Sequence, residues 1–153
     1  MRHVVLIAGA PCSGKTTLAF QLARERPGIV LDRDVIARGL GSTRGWLHED
    51  ALTERAEQIM RGEVARIGQA EDITAYVVRS VPVPAARVGL AEQLRASVVY
   101  LLDPGIGECM RRATEDDRPG GTHRGVREWY RRYAPAGVDR RPGQPQLITS
   151  RTW

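Results

Sequence analysis

Eight consecutive residues, Gly9-Ala10-Pro11-Cys12-Ser13-Gly14-Lys15-Thr16, have the composition of an anion cradle. Glycines at the first and sixth places let the backbone curl so that successive N–H groups converge on one point. A lysine and a hydroxyl residue come next, at the spacing that in such loops serves polyphosphate oxygens and a magnesium ion. The pattern predicts that Gly9 to Thr16, with Thr17 beside them, hold the phosphates of ATP or GTP. Within it Lys15 reaches the β- and γ-phosphates and Thr16 is a ligand for Mg²⁺. Cys12 reads as a small filler.

Lys15 stands apart in a second way. Among 23 Lys and Arg residues it is the only lysine, and asparagine is absent altogether. Where composition lets arginine supply every generic positive charge, a lysine persists where a compact ammonium on a thin stem cannot be replaced by a planar fork.

Two further clusters carry charge suited to phosphoryl chemistry. Asp32-Arg33-Asp34 closes a short apolar run, and a carboxylate there can take a proton from an attacking hydroxyl or assist Mg²⁺. At least one of Asp32 and Asp34 is expected to act as the base or beside the metal, the alternative being that both cap the helix that follows. Arg118 lies in Arg118-Pro119-Gly120-Gly121, a turn between two helical patterns that reads as a closing lid over about 115–123. An arginine on a lid can neutralise charge growing on a transferring phosphoryl group. The other arginines from Arg111 to Arg132 read as solvated helix faces, and Trp129, Tyr130 and Tyr133 as core.

These groups need a scaffold, and the chain reads as alternating strands and helices. Val4 to Ala8 is a continuous apolar run, as in a strand buried on both faces of a parallel sheet, and it leads directly into the glycine loop. A helix is expected from Lys15 to about Arg26, a short strand over Ile29-Val30-Leu31, and a helical turn from Asp32 towards Leu40. Gly39, Gly41 and Gly45 punctuate the stretch after that turn. A long helix from about Glu49 to Gln69 carries Leu52, Ala56, Ile59, Met60, Val64 and Ile67 as an apolar stripe. Ile73 to Val78 is a third strand, Pro84 to Ala96 a helix, and Val98 to Leu102 a fourth strand. Asp103-Pro104 reads as a helix start with the carboxylate as N-cap. Asp117 to Gly121 is a turn-rich break, and Thr122 a cap for the last helix. Residues 1–134 form one domain, and 135–153 a basic Pro/Gly-rich tail or a last strand at Leu147-Ile148-Thr149. The fold class is therefore α/β, an open parallel sheet flanked by helices with ligands at the carboxyl ends of its strands and a small arginine-bearing lid.

Composition narrows the setting. The net charge of +5 and pI near 9.9 suit an anionic partner without singling out nucleic acid. Two cysteines make no disulfide framework, so a cytoplasmic home is expected, and no apolar run is long enough to span a bilayer.

From Val4 to Arg38 the chain resembles the kinase domain of bacteriophage polynucleotide kinase. The shared pattern is strand, phosphate loop, helix, Pro27-Gly28, then a second strand ending in an Asn/Asp-Arg-Asp triplet with an arginine nearby. The resemblance implies that Asp34 is the general base activating a 5′-hydroxyl. Arg38 falls near the family's substrate-binding arginine, one place later, and Arg118 falls at its lid arginine within a second similar stretch, Cys109 to Tyr133. The third strand departs from the family: it ends in Val78-Arg79-Ser80, where the phage kinases have an aspartate. Arg79 is expected to clamp an anionic acceptor together with Arg38, or to pair with Asp32 or Asp34. The family's phosphatase domain has no counterpart here, so 3′-phosphatase activity is not expected. The favoured function is transfer of the γ-phosphoryl group to a nucleic-acid 5′-hydroxyl or a hydroxylated base in DNA. A small-metabolite or nucleoside kinase, and a nucleotide-binding switch that transfers nothing, remain the alternatives.

Overall fold

The computed structural model describes residues 1–44, 46 and 48–143. Five strands, β1 His3–Gly9, β2 Ile29–Leu31, β3 Thr74–Arg79, β4 Val98–Leu102 and β5 Asp139–Arg140, form one sheet in the order β2-β3-β1-β4-β5. Every pairing is parallel. Six helices connect them: α1 Lys15–Glu25, α2 Arg33–Gly39, α3 Asp50–Gln69, α4 Pro84–Leu94, α5 Ile106–Glu115 and α6 Gly120–Arg132.

The apolar run of β1 is explained by its central place. Val4 and Leu6 pack with Met60, Val64 and Ile67 of α3, while Val5 and Ile7 face the layer holding Ala19 of α1. Further along, Ala8 and Ala10 meet Cys109, Val126 and Trp129 of α5 and α6. Both faces are dry, so alternation between polar and apolar residues is absent and the strand reads as one block. The stripe of α3 is buried at Ala56, Met60, Val64 and Ile67. Trp129 is buried and stacks on Tyr133, as expected of core aromatics.

Three boundaries differ from the sequence reading. Asp103 is not an N-cap: α5 begins at Ile106 behind Gly105, and the Asp103 carboxylate accepts from the Gly105 N–H at 3.3 Å and the Tyr130 hydroxyl at 2.8 Å. That carboxylate anchors α6 rather than starting α5. Thr122 caps nothing, because Pro119 is the N-cap and Gly120 and Gly121 already belong to α6. The break between the two helices is thus only 116–119. The observed fifth strand is Asp139–Arg140; Leu147-Ile148-Thr149 and Gly45 lie outside the described residues.

Arg87 of α4 fixes this edge of the sheet. Its guanidinium is fully buried and uses all five N–H donors. Two reach Asp139, each at 2.8 Å, and the others reach the carbonyls of Val81 at 2.8 Å, Pro82 at 3.0 Å and Ala134 at 2.8 Å. One side chain therefore ties α4, the β3–α4 connection, the exit of α6 and β5 together. Removing one partner of such a pair strands a buried charge, which costs about 3–5 kcal/mol. Asp139→Ala should accordingly lower the melting temperature by roughly 10 °C, at about 2–4 °C per kcal/mol for a chain of this size. Differential scanning calorimetry checks this, and a fall of under about 3 °C would show that the edge strand does not depend on the pair.

Candidate functional site

The glycine loop sits where β1 ends and α1 begins, and its geometry rests on two glycines. A Cβ on Gly9 would stand 2.8 Å from the Leu102 carbonyl oxygen and 2.5 Å from Ser13 Oγ, so only glycine lets the loop press against β4. Gly14, the residue before α1, has φ of 95°, a left-handed turn that glycine adopts without strain. No side chain caps the first turn of α1, which leaves its N–H groups available to an anion. Arg112 of α5 braces the loop from behind, donating to the Cys12 carbonyl at 3.2 Å.

Lys15 Nζ donates to the Ala10 carbonyl at 2.7 Å. Burial in the loop holds its pKa down to about 8, against the opposing pull of Asp32 and Asp34. Burial also pushes the Cys12 thiol up, over the contrary influence of Arg118 and the other nearby cations, so Cys12 is not an activated thiolate.

Asp32 and Asp34 divide their work. Asp32 is buried as the N-cap of α2, its Oδ1 accepting from the N–H groups of Asp34 at 2.8 Å and Val35 at 3.4 Å. Its Oδ2 accepts from the Thr16 hydroxyl at 2.6 Å. A hydroxyl oxygen backed by a fixed carboxylate suits Mg²⁺, which keeps several waters and takes few protein ligands. No cluster of three or more His, Cys, Asp or Glu able to hold a metal occurs among the described residues. The Thr16 hydroxyl and the Asp32 carboxylate are the groups here that could serve one corner of such a site. Asp34, in the first turn of α2, has a side chain 40% exposed and lies 3.2 Å from His48 Nε2.

A cleft of about 580 Å³ brings the predicted residues together: Pro11, Cys12, Gly14 to Thr17, Asp32, Asp34, Arg38, Arg79 and Arg118 all line it. Gly9 and Ala10 lie beneath the loop in the core, and Ser13 is buried. Arg38 is exposed in the last turn of α2.

Arg79 and Arg118 have partners that the sequence did not reveal. Arg79 pairs neither with Asp32 nor with Asp34; it makes a two-pronged bond with Glu57 of α3, at 2.9 and 3.1 Å. Burial pushes Glu57 up, but hydrogen bonding and charge from Arg79, with Arg33 behind it, hold it below the usual carboxylate range. Arg118 lies with its guanidinium carbon 3.9 Å from the centre of the Trp46 ring and its Nη2 3.5 Å from Asp116 Oδ2. Its Nε is buried without a partner. Trp46 comes from the α2–α3 connection, so a cation–π contact closes the cleft from side to side. Trp46, His48, Glu57 and Arg112 are site residues that sequence reasoning missed. The one available signal is the span 40–49 between two helices, which is longer than the roughly 2–8 residues usual for such connections.

Solved structures of several kinases share this fold. A chain of the Pnkp1/Rnl/Hen1 RNA repair complex superposes with a TM-score of 0.65 at 14% identity, covering 86% of this chain and 45% of that one. This chain therefore spans less than half of that relative. A sugar kinase from Janibacter sp. HTCC2649 gives 0.61 at 18% identity over 95% of this chain and 88% of that one. Shikimate kinase from Acinetobacter baumannii, in complex with shikimate, gives 0.57 at 16% identity over 95% and 86%. Identities this low establish the fold alone, which is that of the P-loop kinases. No curated protein matches the sequence. No helix among the described residues is long and apolar enough to cross a membrane. The family model described as an AAA domain matches residues 4–103, a span that takes in the loop, Asp32, Asp34 and Arg79, and the chain belongs to that family.

Proposed function

We propose that the protein is a phosphotransferase moving the γ-phosphoryl group of ATP or GTP to a hydroxyl on an anionic acceptor, most closely a nucleic-acid 5′-hydroxyl or a hydroxylated base in DNA. The observation that carries this reading is the convergence of Lys15, the Thr16–Asp32 hydrogen bond and the accessible Asp34 carboxylate on one cleft. Lys15 and the uncapped N–H groups of α1 hold the donor phosphates. Thr16 Oγ1 would touch Mg²⁺, with Asp32 orienting that hydroxyl and one of the ion's waters; when bound, the ion offsets charge on the phosphates. Asp34 accepts the acceptor's proton, and Arg118 neutralises the phosphoryl group in flight. Arg38 and Arg79 give the acceptor end its positive charge, although Arg79 shares its charge with Glu57. These cations, together with the likeness to a chain of an RNA repair complex, favour a polynucleotide acceptor over a neutral sugar.

Incubation with γ-labelled ATP and a panel of 5′-hydroxyl oligonucleotides, nucleosides and sugars tests the reading. Label should reach the oligonucleotides, and Asp34→Asn should cut transfer by about 10²-fold or more while keeping donor affinity. Polynucleotide binding should weaken steeply with salt. Label on a sugar instead would replace this acceptor with a small metabolite, and label nowhere would leave a nucleotide-binding switch.

The lysine gives a pH signature. As pH rises through about 8 the free protein loses the Lys15 proton, whereas bound polyphosphate favours the charged form. Binding at a pH of about 9 must then take up a proton, and affinity should fall by up to about tenfold per pH unit above 8. Calorimetry in buffers of different ionisation enthalpy measures the uptake. Affinity that stays flat from about pH 7 to 9.5 would contradict the assignment.

Arg118→Ala should reduce turnover at least about tenfold while changing donor affinity little, because its partner charge peaks in the transition state. Trp46→Ala removes only the platform, a contact worth about 0.5–2 kcal/mol, so a loss of a few-fold is expected. Steady-state kinetics on both variants decide the point, and unchanged turnover in Arg118→Ala would remove it from the mechanism.

A further inference from the structure

His48 is the one histidine of the chain that is buried, its side chain only 3% exposed. It stands at the end of the α2–α3 connection. Nδ1 lies 2.8 Å from Ser42 Oγ, and Nε2 lies 3.2 Å from Asp34 Oδ1 without meeting hydrogen-bond geometry.

The hydrogens present fix the tautomer. The Ser42 hydroxyl has one hydrogen, and it is donated to Glu49 Oε2 at 2.8 Å. Glu49 is held below the usual carboxylate range by backbone and Ser42 hydrogen bonds, so it is ionised and can only accept. Ser42 Oγ is then left as an acceptor, and takes the Arg44 N–H at 3.2 Å on one lone pair. His48 Nδ1 must fill the other as a donor. In the neutral imidazole this leaves Nε2 bare, a lone pair facing a carboxylate. A neutral His48 in this tautomer and an ionised Asp34 are two acceptors 3.2 Å apart, which cannot bond to each other.

That arrangement is unfavourable until Asp34 gains a proton. We propose that His48 is a positioning residue for Asp34, holding Nε2 ready as the acceptor for the carboxyl group once it carries the proton of the attacking hydroxyl. The proposal rests on Asp34 being the base. In the step, the acceptor oxygen bonds to the γ-phosphorus as the bond from that phosphorus to the β-bridging oxygen breaks. The hydroxyl proton passes to Asp34, and the new O–H donates to His48 Nε2. ADP or GDP leaves with the bridging oxygen. Ser42 and Glu49 keep the ring in the tautomer that makes this possible, much as a buried carboxylate orients a catalytic imidazole.

The first test needs no acceptor. Proton-coupled ¹⁵N spectra of the intact protein at about pH 8, with the His48 signals assigned by their loss in His48→Gln, should show hydrogen on Nδ1 and a bare Nε2. Hydrogen on Nε2 would overturn the proposal. The second test tracks transfer from γ-labelled ATP to a 5′-hydroxyl oligonucleotide. His48→Ala should lower kcat by about tenfold or more with the ATP KM within about twofold, and added imidazole should restore part of the loss. In the Asp34→Asn background the same change should cost nothing further. Full turnover in His48→Ala, or a loss that imidazole leaves untouched, overturns the inference. Should His48→Ala fail to fold, Ser42→Ala frees the tautomer while keeping the ring, and undiminished kcat there is equally fatal. Normal turnover in Asp34→Asn sinks the base assignment itself, a separate outcome.

Discussion

A loop that is to receive a polyphosphate has to stay curled around nothing beforehand. Its N–H groups converge and its lysine is half-buried, and no part of it gains by holding that shape in isolation. The surrounding structure supplies the support. A strand dry on both faces delivers the loop to the carboxyl edge of the sheet, and Gly9 is pressed against the Leu102 carbonyl. Arg112 grips the Cys12 carbonyl from α5, and the Ala10 carbonyl occupies the lysine ammonium meanwhile. Preorganisation of this kind costs free energy in folding and is recovered when charge arrives.

How much of this could be read from residues depended on sequence distance. β1, the loop and α1 adjoin one another, so apolar run, glycine spacing and helical period all point the same way. Asp32 was visible because a carboxylate ending a strand before a helix has few other uses, and the N-cap confirms one of them. Asp103 carried a similar signal and misled, because Tyr130, 27 residues away, competes for its oxygen. Arg87 was illegible for the same kind of reason. An arginine in a helix reads as a solvated charge, and only the fold brings Val81, Ala134 and Asp139 round it. Glu57, Trp46 and His48 likewise gain meaning from the packing of the α2–α3 region against the sheet edge.

The side of the cleft lined by Arg79 is a balance of charge. Arg79, at the end of β3, is answered by Glu57 from α3, with Arg33 sharing the same carboxylate. An anion entering this side of the cleft would therefore meet a cation already half satisfied. Trp46 adds a flat apolar wall on the same side, and its face is taken up by Arg118.

The scarcity of lysine has a chemical consequence beyond nucleotide binding. Side-chain amines are acylated through their neutral form, and this chain has one such amine, which burial makes neutral from about pH 8 rather than 10.5. Apart from the exposed amino terminus at Met1, every acyl group an amine-selective electrophile leaves on this protein must sit in the phosphate loop. The extent of acylation and the loss of the donor site then become a single variable, so the chain carries its own titratable count of intact loops.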